Sequence, residues 1–327
     1  VASANQIKAL LKSHLEGDDQ RFFSVAMQIA ANEAKAGHGK LAEELRDLID
    51  EAKRKGPRQP TPINKPRGEL ASLLTASYPK SRLGSMVLDD NLAQQLQRII
   101  REQRNSERIL AHGLFPRRKL LLIGPPGTGK TMTSTVLAGE LGVPLFDVRL
   151  DGLITKFMGE TAAKLRQIFE VTGQTRGVYF FDEFDAIGSQ RGMSNDVGEI
   201  RRVLNSFLQM IEQDNSHSLI VAATNHVEIL DHALFRRFDD VLYYKMPDEK
   251  QGAALLKSRL SRYCAKGTSW KRLAQAAAGL SYAEITRATE EVLKDALIGS
   301  RDQITEEEIF QTLTERQEIA KRLKAQS

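Results

Sequence analysis

Eight consecutive residues, Gly124-Pro125-Pro126-Gly127-Thr128-Gly129-Lys130-Thr131, carry the strongest chemical signal in the chain. They follow an apolar run, Lys119 to Ile123, and open a helical pattern, which is the setting in which a glycine-rich turn cradles phosphate. Glycine lets the backbone bend so that successive N–H groups point at phosphate oxygens, and the helix N-terminus adds a favourable field. Lys130 can then reach the β- and γ-phosphates, and the Thr131 hydroxyl is placed to ligate the Mg²⁺ that bridges them. A chance glycine-rich turn with a lysine is the competing account, and eight matching residues with both flanks in place weigh against it.

Three further groups gain meaning from that loop. Val178-Tyr179-Phe180-Phe181 reads as a buried strand ending in Asp182-Glu183, where a doubly wound sheet exposes carboxylates beside bound phosphate. Asp182 can hold Mg²⁺ while Glu183 orients and deprotonates a water; alone, such a pair is more often a solvated turn. Asn225 ends the apolar run Leu219 to Thr224 and can fix the attacking water if its strand neighbours that of Asp182; otherwise it is a turn residue. Arg236 and Arg237 precede the last apolar run. They can supply the extra positive charge that phosphoryl transfer needs, or form a surface pair balanced by Asp239 and Asp240.

The elements that must position these groups follow from periodicity. Five β-like runs, Lys119 to Ile123, Pro144 to Arg149, Val178 to Phe181, Leu219 to Thr224 and Val241 to Tyr244, alternate with helical stretches. The expected fold is α/β, a five-stranded parallel P-loop sheet over residues 82–247. A helical lid over residues 248–327 follows, two of its helices opening with capping boxes at Ser281 to Glu284 and Thr305 to Glu308. Residues 1–55 carry three amphipathic patterns, starting at Ile7, Phe22 and Leu41, and read as a small helical bundle that recruits a client or partner. Residues 56–81, with the proline-rich segment GPRQPTPINKPRG, read as a basic linker.

Composition limits the choice of function. With 41% hydrophobic and 27% charged residues the 327-residue chain is globular, and its apolar runs are far shorter than a membrane span. The polar start at Val1-Ala2-Ser3 and the single cysteine, Cys264, lead us to expect a cytoplasmic protein without disulfides. The net charge of +5 invites a nucleic-acid reading. Residues 56 to 82 hold five Lys/Arg against one Asp/Glu, whereas residues 83 to 327 hold 33 against 32, so the excess is linker and nucleic acid is the weaker expectation.

The order of these motifs, GPPGTGKT, then VYFFDE, then ATN ending at Asn225, then FRRFD, resembles the AAA family of ATPases from about Arg82 to the carboxyl terminus. That resemblance, in a katanin- and spastin-like form, implies ATP held between sheet and lid in a ring, usually of six subunits. Arg237, and Arg236 beside it, would act on the neighbour's nucleotide. In the lid, Gly279-Leu280-Ser281-Tyr282-Ala283-Glu284 is similar to the family's Gly-x-Ser-Gly-Ala-Asp, which implies that Ala283 lies at the nucleotide; Tyr282 departs from the small residue. His112-Gly113-Leu114 sits where relatives line the adenine pocket, which implies a nucleotide contact for Gly113.

Phe157, Met158 and Gly159 resemble the aromatic loop with which AAA unfoldases line a central pore, where a ring can grip an extended polypeptide. The competing account places Phe157 and Met158 in the core of the next helix. The resemblance thus implies a homo-oligomeric remodeller of a protein client. The alternatives are a nucleic-acid motor or loader and a regulatory ATP-binding module. The compact arginine motif and short helical amino-terminal region also resemble small bacterial AAA proteins paired with a separately encoded subtilisin-like protease.

Overall fold

The computed structural model describes residues 8, 19–55, 70–150, 158–184, 197–226 and 235–324. The chain divides between Thr61 and Pro62 into two compact units. In the first, α1 (Asp19–Lys35) and α2 (Gly39–Lys55) are joined by a short turn whose Gly37 takes a positive φ. Ala30, Ala42 and Ile49 are buried, and Glu33 accepts from His38 at 2.7 Å. The third amphipathic pattern, Ile7 to Leu15, lies outside the described residues apart from Lys8.

The second unit carries six strands: β1 (Leu74–Ser77), β2 (Lys119–Ile123), β3 (Leu145–Val148), β4 (Val178–Phe181), β5 (Leu219–Thr224) and β6 (Asp240–Tyr243). Their order is β1-β3-β4-β5-β2-β6; β1 runs antiparallel to β3 and every other pairing is parallel. Two expectations are corrected. The sheet has six strands rather than five, and the chain from Leu70 onward, assigned to the linker, already belongs to this unit. Leu73 and Leu74 are buried and Arg149 N–H donates to the Leu73 carbonyl, so pairing with β3 fixes a segment too short to show a period of its own.

The pleat explains why these strands read as unbroken apolar runs. Alternate residues of β2, β4 and β5 face opposite sides, and both sides are covered. Leu121, Tyr179, Phe181 and Ile220 pack with Leu165 and Ile168 of α7 (Met158–Gln174) and with Phe207 and Ile211 of α8 (Val197–Gln213). Leu120, Leu122, Phe180 and Val221 pack with Leu96 and Ile99 of α4 (Asp90–Arg104) and with Leu137 of α6 (Lys130–Leu141). Truncating one such side chain, Leu122→Ala for example, costs about 2–5 kcal/mol. Two shorter helices, α3 (Leu70–Leu73) and α5 (Ser106–Ala111), complete this half.

After β6 the strands stop. Four helices, α9 (Glu249–Leu260), α10 (Trp270–Ala276), α11 (Tyr282–Ile298) and α12 (Glu306–Lys324), bury a separate core that includes Leu256, Leu260, Ile285 and Leu313. Their starts are set by side chains satisfying orphan backbone donors. Asp248 with Gln251 and Ser281 with Glu284 form capping boxes, and Thr305 with Glu308 makes the same reciprocal bonds.

Candidate functional site

β2 delivers the chain into the phosphate loop at a point where no side chain fits. Gly124 takes φ 154°, and a Cβ on it would lie 2.4 Å from the carbonyl oxygen of Tyr244 at the end of β6. At Gly127, φ 74°, a Cβ would lie 2.6 Å from the Ser281 hydroxyl of the lid, and Ala283 N–H donates to the Gly127 carbonyl at 3.0 Å. Pro125 and Pro126 lie between these glycines; the Pro125 carbonyl accepts from the Thr128 hydroxyl at 2.7 Å, and Gly129 is the N-cap of α6. The lid helix α11 is thereby tied to the loop through its first turn.

The loop's functional groups are strung together across three strands. Lys130, 6% exposed, donates to the Gly124 carbonyl at 2.6 Å, the Pro125 carbonyl at 2.9 Å and Oδ1 of Asn225 at 2.7 Å. The Thr131 hydroxyl donates to Asp182 Oδ2 at 2.9 Å. β4 and β5 are neighbours, as the role of Asn225 requires, and its Nδ2 stands 3.5 Å from Glu183 Oε1. Glu183 holds φ 48°, a left-handed conformation costing about 1–3 kcal/mol in a residue other than glycine. Phe184 N–H fixes that turn by donating to the Ala223 carbonyl on β5.

A hydroxyl and a carboxylate side by side, as at Thr131 and Asp182, are the hard oxygen donors that Mg²⁺ takes, so these residues fit the ion. Asp147 on β3 is a neighbour that the sequence reading missed. Burial, reinforced by the charge of Asp182, raises its carboxyl above the ordinary range. Only its place near the end of β3 marks it, since an acid inside an apolar run carries no motif.

Beside the loop lies a narrow cleft lined by Leu88, Asp89, Leu92, Thr128, Tyr244, Lys245, Gln251 and Tyr282. Gly113 is not among the residues that line it. Helix α4 starts at this cleft with Asp89 as its N-cap and runs back to the far edge of the sheet, where Gln103 donates to the Arg117 carbonyl at 2.6 Å. Gly113, with φ 71°, follows α5 in the turn that leads toward β2. Leu88, Asp89 and Leu92 contribute to the cleft with no motif to announce them.

The far edge also carries the arginines. Asp239 accepts from the N–H groups of Arg118 and Lys119 at 2.8 and 2.9 Å and returns a bond to the Lys119 carbonyl, so the FRRFD segment is locked to the start of β2. The loop is at the end of β2, and five residues of strand put roughly 13 Å between the two ends. Arg236 is exposed; Arg237 contacts Glu212 at 3.4 Å, and Phe238 is buried in the core. Phe157 lies outside the described residues, and Met158 and Gly159 are the first two residues of α7.

The profile of the family described as ATPase family associated with various cellular activities (AAA) matches residues 120–246, from β2 to just past β6. Nearly the whole chain aligns with "Uncharacterized AAA family ATPase y4kL" of Sinorhizobium fredii, at 34% identity over 316 residues, 96% of this chain and 95% of that protein. This chain belongs to the AAA family of ATPases. As an AAA protein it is an ATP hydrolase, with a P-loop core of central sheet and flanking helices. It is 32% identical over 251 residues to the ATP-dependent zinc metalloprotease FtsH 3 of Sphaerobacter thermophilus, covering 74% of this chain and 51% of that protein. It is 35% identical over 217 residues to Protein SAV of Sulfolobus acidocaldarius, covering 64% and 28%. The AAA chain therefore spans about half or less of the length of those two relatives. Among the described residues, no helix is long and apolar enough to cross a membrane.

Proposed function

We propose that this AAA ATPase hydrolyses ATP at sites shared between subunits of a ring, and that it uses the cycle to remodel, unfold or translocate a protein client. The observation carrying this reading is the separation of its charges. Lys130, Thr131, Asp182, Glu183 and Asn225 stand at one edge of the sheet and Arg236 and Arg237 at the other. A cation needed at the γ-phosphate is then supplied by a second copy. Thr131 and Asp182 would hold Mg²⁺, which contributes positive charge against the phosphate oxygens.

In the hydrolysis step Glu183 accepts a proton from the attacking water, which forms a bond to the γ-phosphorus as the bond to the bridging oxygen breaks and ADP departs. Asn225 orients that water, Lys130 holds the β- and γ-phosphates, and Arg237 with Arg236 from the neighbouring copy stabilises the charge that develops. Backbone groups from Gly124 through Thr131 cradle the phosphates, and Ala283 brings the lid against them. Phe157, Met158 and Gly159 form the client-gripping loop in this reading, which rests on their resemblance to pore loops and on the relation to FtsH-type proteins. A hexameric ring, a katanin- and spastin-like mode of action, a cytoplasmic setting, recruitment through residues 1–55 and a separately encoded protease partner belong to the same proposal.

The test is complementation. Glu183→Gln and Arg237→Ala proteins are each assayed for ATPase activity over a range of concentrations and then mixed. Shared sites predict near-silence from each alone and partial recovery in the mixture, because some interfaces pair an intact Glu183 with an intact Arg237. Failure to recover at every ratio, or a wild-type rate per molecule independent of concentration down to the monomer, would defeat the proposal.

A further inference from the structure

We propose that Tyr244 is a positioning residue of the phosphate loop: its buried hydroxyl, acting through Thr133, holds the first turn of α6 in the geometry that receives phosphate. The inference rests on the phosphate-site reading above and adds to it a residue that lies outside the loop and its motif.

Tyr244 meets the loop at both ends. At the entry its N–H donates to the Ile123 carbonyl at 2.7 Å, and its own carbonyl oxygen lies so close to Gly124 that a Cβ there would come within 2.4 Å of it. At the exit its side chain reaches α6, where the hydroxyl lies 2.6 Å from Oγ1 of Thr133. Tyr244 is 4% exposed and Thr133 is fully buried, so water does not compete for that bond.

The direction of the bond follows from counting protons. A hydroxyl has one to give. Thr133 gives its own to the Gly129 carbonyl at 3.1 Å, so Tyr244 is the donor between the two. Burial pushes the Tyr244 phenol up, against a smaller downward pull from the Thr133 bond, and the phenol keeps its proton. A relay therefore runs from Tyr244 through Thr133 to the carbonyl of Gly129, the N-cap of α6. That carbonyl belongs to the peptide joining Gly129 to Lys130, and in a trans peptide the N–H points the opposite way. Pinning the carbonyl into the helix aims the Lys130 N–H out of its open N-terminal end, toward the place where phosphate is received. A threonine that bonds back to a carbonyl four residues earlier is ordinary in a helix and orders only its own turn. Here a phenol from β6's end stands behind it, on a residue that also abuts Gly124, so one residue sets the distance between the loop's entry and its exit.

The experiment measures binding of a non-hydrolysable ATP analogue and of inorganic tripolyphosphate, both with Mg²⁺, by calorimetry on the full chain, with thermal unfolding in parallel. The variants are Tyr244→Phe, which removes only the hydroxyl, Thr133→Val, which removes the middle of the relay, the double variant, and Thr133→Ser, which keeps a hydroxyl in place. Tyr244→Phe and Thr133→Val should each weaken both ligands by a similar factor, roughly three- to tenfold, the size of one hydrogen bond. The double variant should be no weaker than the weaker single, because both hydroxyls act through one contact. Thr133→Ser should bind as wild type does. Unchanged affinities with only a lower Tm would make the bond a matter of stability and overturn the inference. So would single losses that multiply in the double variant, a loss confined to the ATP analogue, or a Thr133→Ser protein as weak as Thr133→Val. A wild type that binds neither ligand would defeat the phosphate-site reading and this inference with it; a wild type that binds both leaves only the part played by Tyr244 at issue.

Discussion

The two edges of one sheet use charge in opposite ways. At the edge where β2, β4 and β5 end, polar side chains reach one another across strands, with Lys130 bonded to Asn225 and Thr131 to Asp182, on a loop that admits no Cβ at Gly124 or Gly127. At the edge where β2 and β6 begin, charge is spent on the fold. Arg118 pairs with Asp214 and also donates to the Ser216 carbonyl at 3.0 Å, Thr172 donates to Asp214 at 2.9 Å, and Asp239 closes the backbone of β2. Arg236 and Arg237 break that pattern: they share the edge and are left on the surface. On the proposed function, the contrast separates charges that stabilise the chain from charges held for chemistry.

Substitutions sharpen the contrast. On the proposed shared site, Arg237→Ala has the largest effect, a fall in turnover of roughly 10³-fold or more, since a trans arginine is worth about 10³–10⁵ in related NTPases. Its only ion pair among the described residues, with Glu212, is surface-exposed, so thermal unfolding of the variant should match wild type to within a few degrees. A large drop in Tm would move Arg237 into the structural class and erase the distinction. Next comes Glu183→Gln, which should lower turnover about 10²–10⁴-fold while nucleotide binding survives, because the amide keeps the shape but cannot take a proton. Parallel ATPase and equilibrium-binding measurements decide it; loss of binding together with rate would assign Glu183 to holding the loop.

Asp214→Ala should behave in the reverse way. Asp214 is 9% exposed and serves Arg118, Thr172 and Ser216. Removing it strands a guanidinium in a poorly solvated place, at a cost of about 3–5 kcal/mol. Denaturant titration should show the lower stability, while the nucleotide affinity of the folded fraction stays near wild type. Unchanged stability would mean that water replaces the carboxylate and that this edge is less dry than its burial indicates.

Much of this was legible in the residues. β2, β4 and β5 appear as continuous apolar runs because both faces of a parallel sheet are covered, and the phosphate loop follows from backbone geometry that only glycine satisfies. Three features were hidden. β1 is four residues long with a partly polar face, and pairing with β3 rather than any intrinsic signal makes it a strand. The cleft is assembled from Leu88, Tyr244 and Tyr282, which are far apart in the chain, so nothing local announces it. The Arg118–Asp214 pair joins residues 96 apart, and neither has a distinctive neighbourhood in sequence.

The smallest predicted effect sets the lid against the sheet. In the lid, Glu308 is pushed down to about 2 by the Arg301 guanidinium and by bonds from Thr305, and Glu306 is lowered by the Ser269 N–H and Arg272. A carboxyl depressed in the folded state lends stability that is complete above its unfolded value and fades as pH falls toward the folded one. For Glu308 that window runs from about 4.5 down to about 2. Glu308 is about a third exposed, so solvent screening leaves its contribution at roughly 1 kcal/mol. Asp147 in the sheet has the opposite sign. Its raised carboxyl favours the folded state when protonated, so its contribution is present in acid and lost as pH rises through the folded value. Moving from about pH 6 to about pH 3.5 should therefore loosen the lid relative to the sheet. Amide exchange corrected for intrinsic rates would show protection falling in α11 and α12 before β4 and β5. Glu308→Gln, with no proton to take up, should flatten the lid's response; an unaltered slope would shift the acid sensitivity to other carboxylates.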